Sequence, residues 1–139
     1  MNTYTDHYEV RAETPSVETY LHLRAASGLS PRTVEQAVAG LPHTWHAVTV
    51  HAGGEPVGMG RVVGDGGCVF QIVDMAVLPA HQGRGLGKQI MAALVDELER
   101  RAPKGAYVSL IADGDARFLY EKFGFRDTAP VSIGMQRCI

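Results

Sequence analysis

The chain has 139 residues, 45% of them hydrophobic, and its thirteen lysines and arginines against fifteen aspartates and glutamates give a formal net charge of −2. That size and apolar content fit one globular domain, spanning 1–139, that buries roughly two-thirds of its unfolded surface, and they exclude a disordered chain. The charge balance argues against a nucleic-acid partner, which calls for a concentrated basic excess, and no apolar run approaches the length needed to cross a membrane.

The opening MNTYTDHYEVRAE has neither a basic flank nor an apolar core, so it is not read as a signal peptide. His7 to Ala12 alternates moderately and reads as a first strand. Thr14-Pro15 and Ser30-Pro31 each place a capping residue before proline at a helix start. Val17, Leu21 and Ala25 mark one face of the first helix, and Val34, Ala37, Val38 and Leu41 one face of the second. Gly28 and Gly40 sit where these helices should stop. Two strand-like runs then flank Gly53-Gly54, a pair suited to a tight hairpin turn, and Gly64 to Gly67 makes a second turn. Val69 to Leu78 is an almost continuously apolar strand, as at the centre of a sheet. Leu86, Ile90, Leu94 and Leu98 mark a long helix ending near Pro103. Ala106 to Ile111 is a short strand, Asp115 to Phe123 a last helix stopped by Gly124, and Val131 to Cys138 a final strand. The order is β-α-α-β-β-β-α-β-α-β.

Between the apolar strand and the long helix lies QGRGLGK, Gln82 to Lys88. Backbone N–H groups at a helix start lack partners, and glycines let them turn toward a phosphate with no Cβ in the way. A P-loop would need glycine where Gln82 stands and serine or threonine at Gln89; a Rossmann fingerprint would need glycine at Lys88. Both are absent, which removes the case for a nucleotide-phosphate-binding protein.

The Q-x-x-G-x-G spacing after a strand ending AVLP resembles the acyl-CoA loop of the GNAT superfamily, the Gcn5-related N-acetyltransferases. The segment ARFLYEKFGF resembles that family's second motif, N-x-x-A-x-x-L-Y-E-K-x-G-F: Ala116, Leu119, Tyr120, Glu121, Lys122, Gly124 and Phe125 agree, and Asp113 replaces asparagine. The resemblance implies an α/β (α+β) fold with a central mixed, mostly antiparallel sheet of about six to seven strands flanked by about four helices. It implies acetyl-CoA as co-substrate, its pyrophosphate on the amides of Gln82, Gly83, Arg84, Gly85, Leu86, Gly87 and Lys88. Its pantetheine arm would pair with the backbone of Met75, Ala76 and Val77. The activity implied is direct transfer of acetyl to a primary amine, on a small molecule or a peptide, by a cytoplasmic enzyme that forms a homodimer.

Such transfer needs a neutral amine, a polarised carbonyl and a proton for the departing thiolate. Tyr120 matches the family position that often supplies this proton, and an ordinary phenol is protonated at neutral pH. The alternative is that Tyr120 only packs against Ala116 and Phe123. Some relatives place a basic glutamate where this chain has Gln71, so Asp74 and Asp113 are the remaining carboxylate candidates. No His/Cys/Asp spacing suggests a metal, and Cys68 and Cys138 are expected to be reduced thiols. The competing reading is a catalytically silent acyl-CoA-binding or regulatory module.

Overall fold

Five strands and four helices form in the computed structural model, which describes residues 7–139. The first six residues of the opening segment considered above lie outside the described residues. Strand β1 (Tyr8–Arg11) leads to helices α1 (Val17–Ala26) and α2 (Val34–Gly40). Then come β2 (His46–Ala52), β3 (Glu55–Gly64), β4 (Val69–Val77), helix α3 (Leu86–Arg101), β5 (Tyr107–Leu110) and α4 (Ala116–Glu121). The strands lie in the order β1-β2-β3-β4-β5, antiparallel up to β4 and parallel between β4 and β5. This is the mixed, mostly antiparallel sheet with four helices that the sequence implied.

The sheet is covered on both faces. On one, α3 buries Leu86, Ile90, Met91, Leu94 and Leu98 against Val48, Val50, Val62, Phe70 and Ile72. Each such side chain is worth roughly 1.5–3 kcal/mol when fully withdrawn from water. On the other face, Tyr20 and Leu23 of α1 and Ala37 of α2 pack with Met59 and Ala76. Gly60 fixes how closely α3 approaches β3. A Cβ there would stand 2.5 Å from Ile90 Cγ2 and 2.9 Å from Leu94 Cδ1.

Four expectations need correction. The helix caps are Ser16 and Thr33, each downstream of its proline rather than before it. Thr33 forms a reciprocal capping box with Gln36, which satisfies two backbone donors and outweighs the entry geometry that proline favours. The buried face of α1 carries Tyr20, Leu23 and Arg24; of the expected row, Val17 and Leu21 pack at its margin, partly buried, and Ala25 is exposed. Of the second row, Val34 and Val38 are exposed; Ala37 is buried in α2, and Leu41 is buried in the 3-10 turn that follows it. Finally, Val131 to Cys138 forms no strand, which leaves five strands rather than six or seven. Val131, Ile133 and Met135 are 94%, 71% and 86% exposed. A period-two pattern records compatibility with a pleated surface; it does not supply a neighbouring edge to bond with.

Candidate active site

The site is built where two neighbouring strands separate. The β4–β5 pairing ends at Ile72 opposite Leu110, while β4 continues to Val77 with β3 alone beside it. Within that stretch the register shifts: Arg61 pairs with Val73 but Met59 pairs with Ala76, so Asp74 and Met75 together oppose Gly60. An extra residue of this kind is a β-bulge, which bends its strand and re-aims its side chains. Asp74 takes a left-handed φ of 58°, unique among the described non-glycine residues. Met75, Ala76 and Val77 thus lie on a strand whose outer edge has no strand partner among the described residues.

A cleft of about 580 Å³ opens at this divergence, lined by Gln71, Asp74, Met75, Asp113 and Tyr120, with Arg24 and Arg32 from the α1–α2 side. A larger hollow of about 710 Å³ lies elsewhere, between the C-terminal half of α3, β5 and the chain after α4. It contains none of the candidate residues, and its size does not make it the site.

The glycine loop follows β4 through a single 3-10 turn, Pro79–His81. Gly83 and Gly85 have φ of 76° and 79°, a region other residues enter at a cost, and nothing lies within 4 Å of where their Cβ atoms would be. Gly85 is the N-cap of α3, and no side chain caps that helix. Its first amides are therefore left to an external acceptor, so the loop fits a phosphate group. Gln82 donates its amide to Val77 O at 3.0 Å and ties the loop to the end of β4. Leu86 is buried in the core and Lys88 is exposed. Gly87 is helical, where a Cβ would sit 3.4 Å from Leu119 Cδ2 of α4. The guanidinium of Arg84 reaches Tyr8 Oη at 3.0 Å, and that hydroxyl also bonds His81 Nδ1 at 2.7 Å, so the side chain is drawn toward β1.

Tyr120 sits on α4 at the cleft wall with 9% exposure. Burial pushes its phenol up from the ordinary value, and the negative charge of Asp113 adds to the rise. Both causes favour the protonated form. Asp113 is an exposed residue at the mouth of the same cleft. Asp74 is held very differently. Its Oδ1 accepts from Arg24 Nη1 at 2.5 Å and from Tyr20 Oη at 3.1 Å, and its Oδ2 accepts from Arg61 Nε at 2.9 Å. Arg24 is buried and also donates through Nε and Nη2 to Ser30 O, at 2.9 and 2.6 Å. One carboxylate thereby joins α1, the α1–α2 loop, β3 and β4.

The sequence reading singled out Asp74 but missed Arg24, Arg61 and Tyr20. A signal for two of them existed: Tyr20 and Arg24 are four residues apart and share a helical face. Among the described residues no group of three or more metal-ligating side chains comes together, and no helix is long and apolar enough to cross a membrane.

Comparison with known proteins points the same way. Residues 43–127 match the family model described as an acetyltransferase (GNAT) domain. A protein of unknown function from meticillin-resistant Staphylococcus aureus has a TM-score of 0.91 and 44% identity, covering 96% of this chain and 100% of that one. A GNAT family acetyltransferase from Streptococcus pneumoniae has a TM-score of 0.76 and 26% identity, covering 96% of this chain and 98% of its own. The [ribosomal protein bS18]-alanine N-acetyltransferase of Haemophilus influenzae is 34% identical over 56 residues, 40% of this chain. The chain spans about 38% of the length of the curated relatives it matches.

Proposed function

This chain belongs to the GNAT acetyltransferase family, and from that premise we propose that it moves acetyl from acetyl-CoA to a primary amine by direct transfer in a ternary complex. The observation that carries the proposal is a convergence on one cleft. Met75 and the phenol of Tyr120 line it, the edge of β4 beyond Ile72 has no strand partner among the described residues, and α4 carries Leu119 to within 3.4 Å of a Cβ at Gly87, in the uncapped first turn of α3.

In this reading the amides from Gln82 to Lys88 hold the pyrophosphate, and the edge of β4 pairs with the pantetheine arm. Backbone N–H groups near Met75 to Val77 polarise the thioester carbonyl. The amine nitrogen attacks that carbonyl carbon, the C–S bond breaks, the thiolate takes its proton from Tyr120 Oη, and the proton shed by the acylated nitrogen returns through water to the phenolate. The environment of the phenol supports a donor role, since burial and Asp113 both keep the proton on it.

The base is assigned differently from the acid. Asp74 is a positioning residue: taking up a proton would dismantle its bonds to two guanidinium groups. The acceptor ammonium instead loses its proton to solvent through water in the cleft mouth, beside Asp113. A cytoplasmic location is part of the reading and fits the two exposed, unpaired cysteines, Cys68 and Cys138. The Haemophilus relative is named for an alanine on a ribosomal protein, which supports a peptide amine as one acceptor class beside small amines. Thiol release from acetyl-CoA over a panel of amines is the test. Tight acetyl-CoA binding with no release for any amine would favour the silent binding module.

A further inference from the structure

We propose that the amine acceptor carries an anionic group, a carboxylate or a phosphate, and that Arg32 and Arg61 bind it in a side chamber next to the transfer cleft. The proposal rests on the acetyltransferase reading and names the acceptor class for it.

The chamber is a hollow of about 160 Å³, walled by Tyr20, Arg32, Gln36 and Arg61 among others, with no carboxylate among its described lining residues. It adjoins the larger cleft: Arg32 lines both, and Asp74 of the cleft bonds both Tyr20 and Arg61 of the chamber. A molecule with an amine at one end and an anion at the other can therefore reach both spaces past one side chain.

The charge around this junction is not balanced by the protein. Two guanidinium groups, on Arg24 and Arg61, share the carboxylate of Asp74, and a third, on Arg32, lines both hollows; the other carboxylate on the cleft, Asp113, bonds none of the three. Arg24 is consumed by Asp74 and Ser30. Arg61 uses Nε on Asp74 and Nη1 on Thr44 Oγ1, at 3.0 Å, and its Nη2 has no protein acceptor among the described residues. Arg32 bonds only neutral oxygens, Ser30 Oγ at 3.1 Å and Pro31 O at 3.3 Å, and forms no ion pair among the described residues. Arg61, its side chain 13% exposed, and the exposed Arg32 thus present idle N–H groups, the donor geometry that carboxylates and phosphates match with paired bonds. Gln36 adds a neutral donor on the same wall. A hollow lined this way repels a second cation, so the amine end of the acceptor is directed to the other side of Arg32, into the cleft beside Tyr120.

Two measurements test this. First, the protein is labelled with 15N-arginine, saturated with acetyl-CoA, and titrated separately with inorganic phosphate and with acetate. Saturable shifts of the Arg32 and Arg61 Nε–H signals are expected with at least one anion, and their loss in Arg32→Gln. Which anion saturates first distinguishes phosphate from carboxylate. Absence of saturable shifts, or equal drift of all arginine signals, overturns the proposal. Second, ethanolamine, β-alanine and phosphoethanolamine are compared as acceptors by thiol release. An anionic amine should exceed ethanolamine in kcat/KM by about 10- to 100-fold, the span of one charge-assisted contact, and Arg32→Gln should erase most of that preference. Equal turnover of neutral and anionic amines also overturns it. Calorimetry with acetyl-CoA separates the two failures: loss of acetyl-CoA binding would sink the transferase reading while leaving the anion result standing. Arg32→Gln should leave acetyl-CoA affinity unchanged.

Discussion

Replacing Tyr120 with phenylalanine keeps the ring in its packed position and removes only the hydroxyl. Turnover should fall by about 10²-fold or more with acetyl-CoA affinity preserved, read from single-turnover rates and calorimetry. Equal rates would return the residue to the packing role. The pH profile carries a further expectation. Because burial and Asp113 raise the phenol, the rate should not decline from its ionisation until the pH passes the ordinary phenol range near about 10. Asp113→Asn removes one of those two causes, so the alkaline decline should move to lower pH. Asp74→Asn behaves as a structural change: it leaves two guanidiniums sharing a neutral amide in a site only 5% exposed. Unfolding in urea should show a loss of about 3 kcal/mol, and activity per folded molecule should drop by about tenfold or less. The motif made Tyr120 legible. The partners of Asp74 were not, because Arg24 and Arg61 lie 50 and 13 residues away and meet it only when the sheet and α1 close on each other.

Among the elements, the loop between β4 and α3 makes the sharpest demand on backbone. Gly85→Val forces a branched residue into φ of 79°, so acetyl-CoA affinity should fall more than about tenfold while the fold persists. Gly87→Val acts by another route, pressing on Leu119 of α4, and its effect should reach Tyr120 through that helix. Gly60→Ala tests the seating of α3. The added methyl collides with Ile90 and Leu94, and a loss of about 1–3 kcal/mol is expected in denaturant titration. Helix α3 and the hairpin were plain in the sequence because one buried face repeats every turn and two glycines mark the reversal. The starts of α1 and α2 were misplaced because proline is a weaker signal than the serine or threonine that satisfies backbone donors. The strand read into Val131 to Cys138 was alternation without a neighbour.

Across the whole molecule, the sheet stops short on one side: β4 runs on past Ile72 with no fifth strand to accompany it. If acetyl-CoA supplies the missing neighbour, its binding counts as part of the folding free energy. Midpoint temperature should then climb with the logarithm of acetyl-CoA concentration once the site is saturated, by about 2.7 kcal/mol of added stability at a hundredfold excess over Kd. The amides of Val73 to Val77 should exchange with deuterium faster than those of Phe70 and Ile72 in the free protein, and slow selectively when acetyl-CoA is added. A chain built this way is least stable when idle. Its abundance in a cell would follow the supply of its own co-substrate, because the idle, partly opened form is the one that proteases reach.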